Sequence, residues 1–112
     1  MRPEFNLVRV NAGQAMQQLK RKLDGYRSFG REIYIGVTTA PERRCEQHEL
    51  NGWSRMVLLY EAFTAEIART LECDLIDYAR RCNFRLPPGN VCPGGEGIGS
   101  RPGSHYLYLL LA

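Results

Sequence analysis

Two hydrophobic rhythms alternate along the 112 residues, one of about 3.6 positions and one of about 2. Ala12, Met16, Leu19 and Leu23 recur at helical spacing behind Asn11 and Gln14, which fit a capping pair, and Asp24-Gly25 supplies a stop. Residues 33–37 are β-branched or aromatic apart from Gly36, the composition of a strand. Pro41 suits a first helical turn, with Thr39 or Ala40 as its cap and Glu42 near the positive end of the dipole. A helix over 41–50 follows. Asn51-Gly52 marks a turn, and Met56 to Tyr60 within 53–63 form a nearly continuous apolar run, as in a strand covered on both faces. Thr64 caps a long helix over 65–82, with Glu66 in its first turn. Pro87, Pro88, Pro93 and Pro102, interspersed with six glycines, make 83–104 a loop, and 105–111 returns as a strand. Residues 5–10 read as a short strand or an extended lead-in. This order predicts an α/β (α+β) fold, a small central mixed or antiparallel sheet flanked by helices.

Composition narrows the function classes. A chain of 112 residues is one domain, and 44% hydrophobic with 24% charged residues is a globular composition, not a disordered one. The net charge of +3 permits nucleic-acid binding without requiring it. No apolar run reaches the ~18 residues of a membrane span, and the first residues lack the apolar core of a signal peptide. An intracellular protein is expected, cytoplasmic or nuclear, with no membrane partner. Cys45, Cys73, Cys82 and Cys92 include no Cys-x-x-Cys pair, so free thiols are expected and zinc-ribbon chemistry is disfavoured. Lys20, Arg21 and Lys22 form a basic run that reads as a solvated helix face or as an edge that meets phosphates.

One residue breaks the pattern of the 65–82 helix. At about 100° per residue, Ile67, Ala68, Leu71, Leu75, Ile76 and Ala79 share an apolar arc, while Asp74 and Asp77 fall on the polar one. Glu72 lies inside the apolar arc, between Ala79 and Ile76. A carboxylate turned toward a core must be paired, protonated or bound to a metal. An ion pair with an arginine, a metal ligand and a general base are therefore all open.

Tyr34, Thr38, Arg44 and His48 stand at fixed intervals, and Arg44 and His48, four apart, share one helix face toward the strand tyrosine. The series Ile33-Tyr34-Ile35-Gly36, Thr38, Pro41, Arg44 and His48, the lone Glu72 on the next long helix, and Asn90 before a glycine-rich segment resemble the GIY-YIG nucleases. The resemblance covers residues 31–111 and leaves 1–30 as a divergent N-terminal strand and helix. It departs from the family at the first motif: Gly25-Tyr26 precedes Tyr34 by eight residues and lacks the apolar strand residues around it. Tyr26 is thus either the first tyrosine or a packing residue, and 5–10 is a candidate for the missing strand.

The resemblance implies a GIY-YIG-like fold and a DNA endonuclease, of the kind used in repair or recombination, that cleaves phosphodiesters with one divalent cation, Mg²⁺ or Mn²⁺, held by Glu72. Arg44 would meet the non-bridging oxygens, Tyr34 would act as general base, and His48 would relay the proton or hold the attacking water. Gly36 would allow close approach, and Asn90, or its rival Asn83, would orient a phosphate or a loop. Gly94, Gly95 and Gly97 either present N–H groups to a phosphate or form a merely flexible loop, and Arg43, Arg55, Arg80, Arg81, Arg85 and Arg101 are candidate strand contacts or solvated charges. A partner protein or a second copy would supply specificity. Two readings from other classes compete: a silent nucleic-acid-binding module of the same fold, and an interaction domain in which Glu72 pairs with an arginine.

Overall fold

The computed structural model describes residues 1–29, 32–88, 90 and 103–112. Four strands and three helices follow one another as β1 (Pro3–Phe5), α1 (Ala12–Tyr26), β2 (Ile33–Thr38), α2 (Pro41–Leu50), β3 (Arg55–Ala62), α3 (Ala65–Arg81) and β4 (His105–Leu111). The strands form one mixed sheet in the order β1-β3-β4-β2, so the α+β class and the mixed sheet expected from the pattern are what the chain adopts. β1 runs parallel to β3, and β4 is antiparallel to both of its neighbours.

The sheet separates two apolar layers. On one face, Ala15, Leu19 and Leu23 of α1 and Ala68, Leu71, Leu75, Ile76 and Ala79 of α3 pack on Ile33, Ile35, Val57, Leu107 and Leu109. On the other, Cys45 of α2 packs on Met56, Leu58, Tyr108 and Leu110, with Tyr34 and Trp53 at its margin. The register of β3 against β4 shifts between Leu58 and Tyr60, and this irregularity turns both Leu59 and Tyr60 to the α1/α3 side. Met56 and Leu58 face the α2 layer while Val57 and Leu59 face the α1/α3 layer, so the run is apolar because both faces of β3 are covered.

Several boundaries differ from expectation. α1 does not stop at Asp24-Gly25: it continues to Tyr26 and into a 3₁₀ turn at Arg27–Phe29. A Cβ at Gly25 would meet nothing within 4 Å, so this glycine serves no close approach. Asn11 is the N-cap residue of α1, but its side chain makes no capping bond. Thr64 does cap α3, accepting from the Ile67 N–H at 3.1 Å, and the left-handed Asn83 (φ 60°) turns the chain beyond its C-terminus. The first strand is Pro3–Phe5 and not 5–10, although the Asn6 and Val8 N–H groups still donate to Leu58 and Leu59 carbonyls.

No helix among the described residues is long and apolar enough to cross a membrane. The cysteines depart in part from the expected free thiols: Cys45 and Cys82 are free, whereas Cys73 is disulfide-bonded. Cys92, Arg101 and the glycines Gly94, Gly95 and Gly97 lie outside the described residues.

Candidate active site

Alternation along β2 puts Tyr34, Gly36 and Thr38 on the face toward α2. Gly36 lies opposite Tyr108 of β4. A Cβ at position 36 would sit 2.6 Å from both Cζ and Oη of Tyr108 and 2.8 Å from Cε1 of Tyr34. Only glycine lets these two phenols share the surface of the strand pair.

The four-residue spacing on α2 brings the His48 imidazole over them. Its centroid is 5.9 Å from that of Tyr34 and 5.6 Å from that of Tyr108, and Nε2 lies 2.9 Å from Tyr108 Oη. Trp53, just after α2, closes the aromatic group at 6.2 Å from Tyr34. One turn before His48, the exposed Arg44 has a single hydrogen bond among the described residues, to Gln47 Oε1 at 3.4 Å. Its guanidinium fork therefore remains available to an incoming anion.

Glu72 comes from α3, which packs on β2 and β4. It is 7% exposed, and its buried Oε1 has no hydrogen-bond partner among the described residues. Burial raises the carboxyl from 4.5 to about 7, with the positive charge of Arg69 pulling the other way. The side chains act on one another electrostatically. Burial and then the Glu72 charge raise Tyr34, while Arg44 lowers it. Tyr108 is raised well above the ordinary phenol value, first by burial, and the charges of Arg44 and Glu72 act on it in opposite directions. Burial, assisted by Arg44, lowers His48 and keeps it neutral.

Arg44 and Glu72 both act electrostatically on Tyr34 and Tyr108, and Arg44 also acts on His48. Tyr26 is not among them. It packs against the α1/α3 side of the sheet, its hydroxyl accepts from Asn6 Nδ2 at 2.9 Å, and the Arg55 guanidinium lies 5.5 Å from its ring centroid. Its role is packing, and β1, paired with β3, is not a neighbour of β2 either. The second phenol beside Tyr34 is Tyr108, which sequence reasoning missed. The available signal was a tyrosine inside an otherwise leucine-rich strand, but nothing local reveals that β4 lies next to β2.

The remaining candidates are placed as follows. Thr38 is buried, and its Oγ1 accepts from the Ala40 N–H at 3.0 Å, tying the end of β2 to the start of α2. Thr38, Arg43, Arg44 and Gln47 line an open cleft of about 200 Å³ at that junction. Asn90 is 2% exposed and spends its amide on β2, accepting from Ile35 N–H at 2.9 Å and donating to Ile35 C=O at 2.8 Å. It orients a loop and does not reach toward a phosphate. Asn83 ends the turn after α3 and accepts from Arg27 through its carbonyl at 3.5 Å. Arg55 is held by Glu4 at 2.7 and 2.8 Å, Arg80 donates to the Asn90 carbonyl at 2.7 Å, and Arg81 pairs with Asp77 at 2.7 Å.

The donor set can be tested against a metal. No cluster of three metal-binding side chains occurs among the described residues. One buried carboxylate oxygen, without a hydrogen-bond partner among the described residues, offers a single protein ligand, which fits an ion that keeps most of its water, such as Mg²⁺, and does not fit a fully protein-ligated zinc. Compared with family models, curated proteins and solved structures, the chain finds no match, so its likeness to the GIY-YIG nucleases stands on these residues alone.

Proposed function

We propose that the chain is a metal-dependent endonuclease that hydrolyses phosphodiester bonds in DNA. The observation that carries the reading is the orphaned Glu72 oxygen, buried where its charge reaches both Tyr34 and Tyr108. An acid left unpaired in such a place costs stability, and a cation bound there offsets the cost.

Glu72 would hold Mg²⁺ or Mn²⁺, and the ion, when bound, supplies Lewis acidity at the scissile phosphate. The side chains do the rest. Arg44 directs its fork to the non-bridging oxygens, whose charge grows toward the transition state. Tyr34, the more exposed of the two phenols, holds the attacking water and, as phenolate, takes its proton. Its raised value keeps it protonated in the free site, and neutralising Glu72 removes one cause of that rise. His48, neutral and half-buried, binds an oxygen without adding a competing positive charge.

Plasmid nicking with added Mg²⁺ or Mn²⁺ tests the proposal. Glu72→Ala should abolish cutting, and Arg44→Ala should lower kcat by about 10²–10³ with DNA affinity largely retained. Binding without cutting by the wild-type chain would instead mark a silent nucleic-acid module. Neither binding nor cutting would leave an interaction domain.

A further inference from the structure

The Tyr108 hydroxyl is buried and meets one hydrogen-bonding group among the described residues, Nε2 of His48 at 2.9 Å. A phenol carries one proton to donate, and leaving it unplaced in an apolar layer is unfavourable. If Nε2 carried a hydrogen and donated to the phenol oxygen, the hydroxyl proton would have no acceptor. The opposite arrangement satisfies both groups: the phenol donates and Nε2 accepts. A neutral imidazole that accepts at Nε2 must carry its hydrogen on Nδ1.

We propose that Tyr108 is a positioning residue that locks His48 in its Nδ1–H tautomer, so that the imidazole offers a substrate oxygen a donor and cannot take a proton from water. The substrate half of this statement rests on the nuclease reading; the tautomer half does not. Gly36 belongs to the same device, because a Cβ there would lie 2.6 Å from the Tyr108 oxygen. The shifts of both partners agree with the assignment: Tyr108 is held as a phenol and His48 as a neutral ring. His48 thus drops out as the general base, and Tyr34 remains as the phenol not committed to the imidazole.

The test is ¹⁵N NMR of the histidine side chains at about pH 8, above the ordinary histidine value. The chain has two histidines, so His105→Gln assigns the His48 signals. Wild type should show a hydrogen-bearing Nδ1 and a bare Nε2. Tyr108→Phe should lose that signature and give a mixed or Nε2–H ring. Gly36→Ala, which displaces the phenol, should do the same. A wild-type ring protonated on Nε2 overturns the proposal, as does a Tyr108→Phe spectrum identical to wild type. If Tyr108→Phe fails to fold, the wild-type tautomer alone decides. Because the readout needs no substrate, failure of plasmid nicking sinks the nuclease reading and the substrate half of the proposal but leaves the tautomer assignment standing, whereas an Nε2–H ring overturns the assignment and leaves the nuclease reading standing.

Discussion

Between 4.5 and about 7 the folded chain keeps a proton on Glu72 that the unfolded chain has released. Stability therefore falls as pH rises through this window, the direction opposite to that of a salt-bridged carboxylate. Urea unfolding at pH values near 5 and 8 should show a loss of about 1–2 kcal/mol, which Glu72→Gln should flatten and Mg²⁺ should reduce at the higher pH. At Gly36 the constraint is steric. The alanine variant should lose about 1–3 kcal/mol in the same measurement, because the phenols of Tyr34 and Tyr108 must move from a packed layer. Glu72 was legible in the sequence because a helical period exposes any polar residue on the wrong arc. Tyr108 was not, because a tyrosine in a strand breaks no local rule.

Among the elements, α2 and β4 have the bounds their sequences predict, Pro41–Leu50 and His105–Leu111. Pro41 begins the first cleanly, and an unbroken apolar run defines the second. α1 overran its expected end since Gly25, in open space, costs a helix only about 1 kcal/mol, too little to stop it against the packing of Leu19 and Leu23. The outer edge of β2 shows a further layer that pattern could not reveal. Beside β2, the Ile33 N–H donates to the Arg85 carbonyl at 2.9 Å, and the Asn90 amide serves both backbone groups of Ile35. This segment completes the edge as a strand would. Asn90→Ala should cost about 1–3 kcal/mol and raise amide exchange at Ile35 more than at Val57 in the middle of the sheet.

For the molecule as a whole, the arrangement of charge matters more than its sum. Arg55, Arg80 and Arg81 are engaged with Glu4, Asn90 and Asp77, while among the described residues Arg44 is the cation whose charge reaches Tyr34 and Tyr108. On the nuclease reading, DNA affinity should depend weakly on salt, with a log–log slope of about −2 to −4 in a filter-binding or anisotropy titration. Sequence preference should be low, since nothing here reads base edges, and a partner or second copy would have to supply it. The strand candidate for the first motif, at 5–10, lies away from Tyr34 for a topological reason. The strand beside the Tyr-Ile-Gly strand comes after α3 and not before Ile33, and strand order is a property of the closed sheet that no local window contains.

That same strand order has a consequence for synthesis. As the ribosome extends the chain, β2 and β3 emerge while the strand that must lie between them is still unmade, so each presents an unpaired edge. Until residues 105–111 clear the exit tunnel, Tyr34 lacks the Tyr108 phenol beside it and His48 lacks the hydroxyl it meets at 2.9 Å. On the nuclease reading, a nascent copy would leave nucleic acid uncut, and its open strand edges would invite pairing with other copies, until β4 has taken its place in the sheet.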